Sequence, residues 1–220
     1  MTSILFSQMT PPSDLESEFN IWYDTEHVPA RTGLDGFTGA KRYRAVAPDS
    51  GEYVAVYEAT SLAAFTTQEY AALRANPSER TQRILSSVAG FTRLICDERG
   101  RVGESDAESY LYAVAFSVPD ERAEAYDQWY EDEHIPLLMK APGWQQIRRF
   151  VVTDGVGASW THLTLHYLKD LSALDSDARA RARVAPLRNA LSQEPWFGDS
   201  MRWVYRPLHV PARDAVAGVQ

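Results

Sequence analysis

Eleven consecutive residues of this chain occur twice. Phe19-Asn20-Ile21-Trp22-Tyr23-Asp24-Thr25-Glu26-His27-Val28-Pro29 returns as Tyr126-Asp127-Gln128-Trp129-Tyr130-Glu131-Asp132-Glu133-His134-Ile135-Pro136, with Trp, Tyr, Glu, His and Pro identical. Trp and His are rare residues, so the match marks a true internal repeat, the feature that most narrows a fold. The register runs on through Gly36-Phe37 and Gly143-Trp144 to Arg42-Tyr43 and Arg149-Phe150. After a two-residue shift, Val56-Tyr57 meets Leu165-His166, Pro77 meets Pro186 and Arg93 meets Arg202. The chain is two copies of one unit of roughly 105 residues, with expected bounds 1–103 and 104–209 and a tail at 210–220. The polar stretch Arg99 to Glu108, with Gly100, Gly103 and Ser105, reads as the linker between them.

Each copy carries the same order of elements. Ile4–Met9 and Tyr110–Val118 read as first strands. Asp14–Val28 and Asp120–Ile135 read as helices, each ended by the proline two residues after its His. Phe37–Val46 and Trp144–Val152 read as second strands, and Tyr53–Ala59 and Trp160–Leu168 as third strands. Helices over Gln68–Ser87 and Ser176–Leu191 are interrupted at Pro77 and Pro186, and Phe91–Cys96 and Met201–Tyr205 close the units as fourth strands. The order βαββαβ, twice, is an α+β, ferredoxin-like split-βαβ arrangement. One such unit leaves one sheet face bare, so two units are expected to cover each other within the chain.

Composition removes other classes. The 220 residues, 45% hydrophobic and 24% charged, suffice for a core that hides roughly 70% of the unfolded surface. Asp and Glu outnumber Lys and Arg by 30 to 22, which disfavours a phosphate backbone as partner. Cys96 is the only cysteine, which leaves no internal disulfide and no multi-thiolate site. The N-terminus has no basic n-region before a long apolar run, and no apolar run approaches 18 residues. The expectation is a cytoplasmic protein with neither nucleic acid nor membrane as partner. Within one chain it forms a pseudo-dimer, with a further homodimer left open.

The combination Trp-Tyr-x-x-Glu-His-x-Pro, followed by Gly-aromatic and a basic-aromatic pair, resembles the EthD-like branch of the dimeric α/β-barrel superfamily. The likeness covers both halves and is densest at Phe19–Tyr43 and Tyr126–Phe150. It implies two four-stranded antiparallel sheets facing each other around a central cavity. The superfamily includes cofactor-independent oxygenases, polyketide cyclases, lactone isomerases and haem enzymes. It supplies a fold more firmly than a reaction. The fusion of two units is a departure, because one chain need not carry two equivalent sites.

Several side chains suit proton transfer. Phe19, Tyr23 and His27 share one helical ridge, as do Tyr126, Tyr130 and His134, with Glu26 and Glu133 beside the imidazoles. Asp24 and Glu131, three residues before each His, can reach a ring nitrogen and fix its tautomer. Equally, a His at a helix end is favoured by the helix dipole, and Glu26 or Glu133 can pair with Arg42 or Arg149, a purely structural role. The third strands differ between the copies. His162, Thr164 and His166 alternate with Leu163, Leu165 and Tyr167, where the first copy has Tyr53, Ala55 and Tyr57. If the apolar row meets the helices, the His/Thr/His row faces the space between the sheets and needs partners there. His162 and His166 stand about 13 Å apart along a strand, too far to share an ion. The spacing leaves a haem with a His axial ligand open, without a positive sign of one. Cys96 reads as a small core residue. Arg179, Arg181, Arg183 and Arg188 read as a solvated helix face, available to an acidic partner.

The resulting expectation is a lyase, isomerase or cyclase without cofactor, acting on a small aromatic, polyketide-like or lactone substrate. His166 and His162 move protons, with His134, His27, Glu133 and Glu26 as the other candidate catalytic groups. Tyr53, Tyr57 and Thr164 line the pocket, and Arg42 or Arg149 holds an anionic oxygen. The alternative is a non-catalytic small-molecule-binding or accessory protein using the same cavity.

Overall fold

The computed structural model describes residues 2–47 and 50–208; the expected tail at 210–220 lies outside them. The first half contains β1 (Ser3–Thr10), α1 (Glu16–Trp22), α2 (Val28–Thr32), β2 (Phe37–Ala45), β3 (Tyr53–Ala59), α3 (Gln68–Ala75), α4 (Glu79–Ser87) and β4 (Ala89–Gly103). The second contains β5 (Tyr110–Phe116), α5 (Ala123–Gln128), α6 (Ile135–Leu138), β6 (Trp144–Val156), β7 (His162–Leu168), α7 (Asp177–Ala182), α8 (Pro186–Leu191), α9 (Pro195–Gly198) and β8 (Met201–Pro207). The strands close into one barrel in the order β1-β3-β2-β8-β5-β7-β6-β4, and all their pairings are antiparallel. Each half supplies four contiguous strands. The seams are β2 with β8, through Arg44↔Arg206, and β4 with β6, through Arg93↔Val156 to Gly103↔Gln146.

The long second seam corrects the expected linker. Residues 99–103 are not a connection but the end of β4, and their polarity reflects their exposed position at the barrel rim. Arg148 on β6 staples the halves by donating to Glu58 of β3 at 2.5 Å and Glu98 of β4 at 2.8 Å. Burial alone would raise the Glu98 carboxyl, but Arg101, Arg148 and Thr2 bring it down to about 2.

The helices do not stop at their prolines. Tyr23–His27 and Trp129–His134 form π-helical turns, after which α2 and α6 continue with proline in their first turn. The wider turn separates the proline ring from the preceding carbonyls, which removes the clash that ends an ordinary helix. It also seats each His under the Trp five residues earlier, with ring centroids 4.1 Å apart for Trp22–His27 and 4.6 Å for Trp129–His134. The repeated glycine has a packing reason. A Cβ on Gly36 would come within 2.8 Å of the Ala64 Cβ, and one on Gly143 within 3.0 Å of the Ala173 Cβ.

Alternation along the strands builds three cores. Ile4, Phe6, Val54, Val56, Leu94, Cys96, Leu111, Ala113, Leu163, Leu165 and Tyr167 fill the barrel interior. Two outer cores lie between the sheet and the helices of each half. This reverses the expected orientation of β7. The apolar row points into the barrel, and His162, Thr164 and His166 point toward the helices, where His162 lies 4.8 Å from the Tyr126 ring. Interior residues from both halves make a dry core with few partners for polar groups, whereas the helix layer brings Tyr, Trp and His side chains to meet them.

Candidate functional site

The sheet and helices of the second half form a cavity of about 270 Å³, just below the usual range of ligand sites. Tyr112, Val114 and Phe116 of β5, Trp144 of β6 and His166 of β7 form its floor. Trp129, Tyr130, His134 and Leu138 of the π-turn and α6 form one wall, and Phe197 closes another. Arg179, Arg183, Arg188 and Arg202 complete the lining.

His166 is buried, and the Trp144 indole N–H donates to its Nδ1 at 3.2 Å. The neutral ring therefore keeps its proton on Nε2, leaving that atom a hydrogen-bond donor. Burial, then His134 and Arg179, hold its pKa well below the usual imidazole range. His134 lies 6.5 Å away between ring centroids, and its Nδ1 is buried without a partner. Burial, then the Arg188 and Arg179 charges, push His134 down to about 3. Both rings are neutral near pH 7. His166 does not fit the axial ligand of a haem, because a ligating nitrogen must be free of its proton and the ring's other nitrogen already accepts the indole. Among the described residues no three His, Cys, Asp or Glu side chains converge as a metal-binding set.

The guanidiniums of Arg179 and Arg188 are fixed by backbone carbonyls and aromatic faces. Arg179 donates to the Leu174 carbonyl at 2.5 Å and lies over the Tyr112 ring. Arg188 donates to the Arg183 carbonyl at 2.7 Å and lies over Phe197. Among the described residues no carboxylate forms an ion pair with Arg179, Arg183, Arg188 or Arg202. Burial and the charges of Arg183 and Arg202 lower the pKa of Arg188, a sign of unrelieved repulsion. The expectation of a solvated helix face therefore fails for Arg179 and Arg188, which are half-buried, while Arg183 is exposed as expected.

The other candidates fall elsewhere. Glu133 accepts from the backbone N–H groups of Leu187 at 2.8 Å and Arg188 at 2.9 Å, and so docks the start of α8. Glu26 accepts from Ser78 and Thr81 at the start of α4. Neither glutamate pairs with Arg42 or Arg149. Those guanidiniums instead take Asp24 at 2.5 Å and Glu131 at 2.6 Å, which also removes these acids from the imidazoles. Arg42 and Arg149 are thus helix-to-sheet ties rather than anion holders. Tyr53 bonds Glu16 and Asn20 in the first half. Tyr57 is buried there in the outer core beside Tyr23. His27 packs on Trp22 and Tyr23, kept neutral by burial, Arg31 and Arg42. His162 and Thr164 share the row with His166 but do not line the cavity; His162 stacks on Tyr126 and meets the Thr161 hydroxyl at 2.9 Å. The structure thus brings together His134 and His166 alone among the sequence candidates. Sequence reasoning missed the arginines and the aromatic wall.

Comparison with known proteins agrees with this architecture. No family model and no curated protein matches the sequence. An anthrone oxidase-like protein superposes with a TM-score of 0.68 at 14% identity, over 94% of this chain and 91% of its own. A ferredoxin-fold protein of Listeria monocytogenes related to antibiotic biosynthesis monooxygenases gives 0.51 at 9%, over 95% and 96%. A mutant chlorite dismutase of Candidatus Nitrospira defluvii gives 0.60 at 12%, over 94% and 91%. The chain shares their fold. At these identities the likeness reaches no further.

Proposed function

We propose that the chain is a small-molecule enzyme of the EthD-like kind, built from two fused ferredoxin-like units, 1–103 and 104–209, with one working cavity in the second. The observation that carries this reading is a cavity holding two neutral histidines, an aromatic wall and arginines with which no carboxylate forms an ion pair among the described residues. An aromatic or lactone substrate lies against Trp129, Trp144 and Phe197. His166 donates its Nε2 proton as a hydrogen bond to a substrate oxygen, and His134 is the base. Burial is the larger cause of the low His134 pKa; a bound anion offsets the smaller part due to the Arg188 and Arg179 charges and so shifts it upward, in the direction proton transfer needs. The arginines stabilise the enolate or phenolate formed. Return of the proton to a different atom completes an isomerisation, elimination or cyclisation without a cofactor.

The neighbours described as anthrone oxidase-like and monooxygenase-related favour a second reading, in which dioxygen consumes the same anion. Anthrone and a set of aromatic lactones, incubated in deuterated buffer on an oxygen electrode, separate these readings. Deuterium uptake without oxygen consumption supports proton transfer, and oxygen consumption supports oxygenation. His134→Ala is expected to slow either by about 10²–10⁴-fold, while His27→Ala leaves turnover per folded molecule unchanged. Binding without exchange or oxygen uptake makes the protein a binder, and an unimpaired His134→Ala overturns the assignment of the base.

A further inference from the structure

Matched against the prolines of the repeat, the two halves differ at the positions that face this cavity. Seven residues before Pro77 stands Tyr70, and seven before Pro186 stands Arg179. Two residues after the prolines stand Glu79 and Arg188, and four after them Thr81 and Ala190. Thr81 accepts the Trp22 indole N–H at 2.9 Å, while the matching Trp129 N–H is buried with no partner. Arg93, the counterpart of Arg202, is neutralised by Asp154 at 2.6 Å. The second half thus carries two cations that the first lacks, Arg179 and Arg188, and its Arg202 lacks the carboxylate partner that Arg93 has, within a chain of net charge −8. Acidic residues are in surplus, yet among the described residues none forms an ion pair with Arg179, Arg188 or Arg202.

The arginines also lie at two depths. Arg179 and Arg188 are half-buried, each fixed by a backbone carbonyl and an aromatic face. Arg183 and Arg202 are exposed at the rim. A single carboxylate engages one or two guanidiniums through paired hydrogen bonds, which leaves the remainder repelling one another. Resting on the reading of this cavity as the functional site, we infer that its ligand is an aromatic molecule with two negative charges. One charge is held by Arg179 beside the histidines, and the other by Arg188, which stands between His134 and the exposed Arg183 and Arg202.

Four naphthalene probes test this by calorimetry or quenching of tryptophan fluorescence: 1-naphthalenemethanol, 1-naphthoate, naphthalene-1,4-dicarboxylate and 1-naphthyl phosphate. The neutral alcohol should bind weakest, and the doubly charged probes at least tenfold more tightly than 1-naphthoate, with affinity falling as salt rises. Tighter binding of the phosphate than of the dicarboxylate would place both charges on one terminal group; the reverse would place them on separate acids. Arg188→Gln should weaken the dianions about tenfold and 1-naphthoate little, and Arg179→Gln should weaken all three anions. The exposed Arg202→Gln, which has little bearing on folding, should weaken the dianions selectively. Equal affinity for mono- and dianions, or dianion affinity indifferent to Arg188→Gln and Arg202→Gln, overturns the inference. Selective dianion binding without His134-dependent turnover leaves it standing and removes the catalytic reading instead. His134-dependent turnover of neutral substrates with no charge preference does the opposite.

Discussion

The outer cores of the two halves are built on one plan and used differently. In the first, Phe37, Phe65 and Tyr70 stack with ring centroids 5.3 to 5.7 Å apart, and Arg31 lies over Tyr57. In the second, Trp144, Leu174 and Arg179 stand in place of the stack, Leu138 in place of Arg31, and His166 in place of Tyr57. The π-turn, the Trp–His stack and the glutamate that docks the next helix are common to both. What recurs holds the fold together, and what differs opens a cavity. A fused pair can keep one half as scaffold while the other changes, which identical subunits cannot do.

The largest test of this contrast exchanges the plug. Tyr70 is 1% exposed, so Tyr70→Ala empties a packed site and should cost about 3 kcal/mol or more. Arg179 borders open space, so Arg179→Ala should cost under about 1 kcal/mol. Urea unfolding of both variants measures the difference. Similar losses would mean that the two sites are equally packed and that the contrast is false.

Much of this was legible before any coordinates. Repetition of Trp-Tyr-x-x-Glu-His-x-Pro pointed to an α+β chain with eight strands in this order, and the antiparallel barrel has them. The orientation of β7 was not legible, because the whole strand from His162 to Leu168 is buried. Alternation separates its two rows, but only the barrel's dry interior decides which row points inward. The arginines were hidden for another reason. Arg179 and Arg183, four apart, are also the pattern of a solvated helix face. Only comparison with Tyr70 and Glu79 in the other copy marks Arg179 and Arg188 as a change of use; Arg183 matches Arg74.

Acid provides the second test, and here the halves should agree. Burial lowers the pKa of both His27 and His134, the latter to about 3. Below about pH 6.5 the unfolded chain binds protons that the folded chain refuses, so stability falls as pH falls through that region. Each histidine contributes up to about 1.4 kcal/mol per pH unit to that slope. Urea midpoints at pH 7, 6 and 5 should therefore fall steeply for the wild type. His27→Gln and His134→Gln should each flatten the slope by about one proton. Flattening by only one of them would show that the two imidazoles are not equivalently buried.

The smallest test concerns the glutamates, where matching roles rest on different geometry. Glu133 uses both carboxylate oxygens, one for the Leu187 N–H and one for the Arg188 N–H. Glu26 receives Ser78 and Thr81 on a single oxygen, Oε1. A glutamine keeps one acceptor oxygen and replaces the other with a donor. In Glu133→Gln one backbone N–H of α8 loses its acceptor and faces a second donor, which should cost about 1–2 kcal/mol. In Glu26→Gln the remaining oxygen can serve both hydroxyls, so the cost should stay near 0.5 kcal/mol, roughly the value of lost charge assistance. For a chain of this size about 1 kcal/mol shifts the melting temperature by roughly 2–4 °C, so calorimetry resolves the pair. Because the Arg188 backbone is one of the two groups released, Glu133→Gln should also loosen this cavity arginine and weaken anionic probes. Glu26→Gln should leave them untouched. Equal melting shifts with no change in binding would mean that the two glutamates do one structural job, and that the cavity owes nothing to the docking of α8.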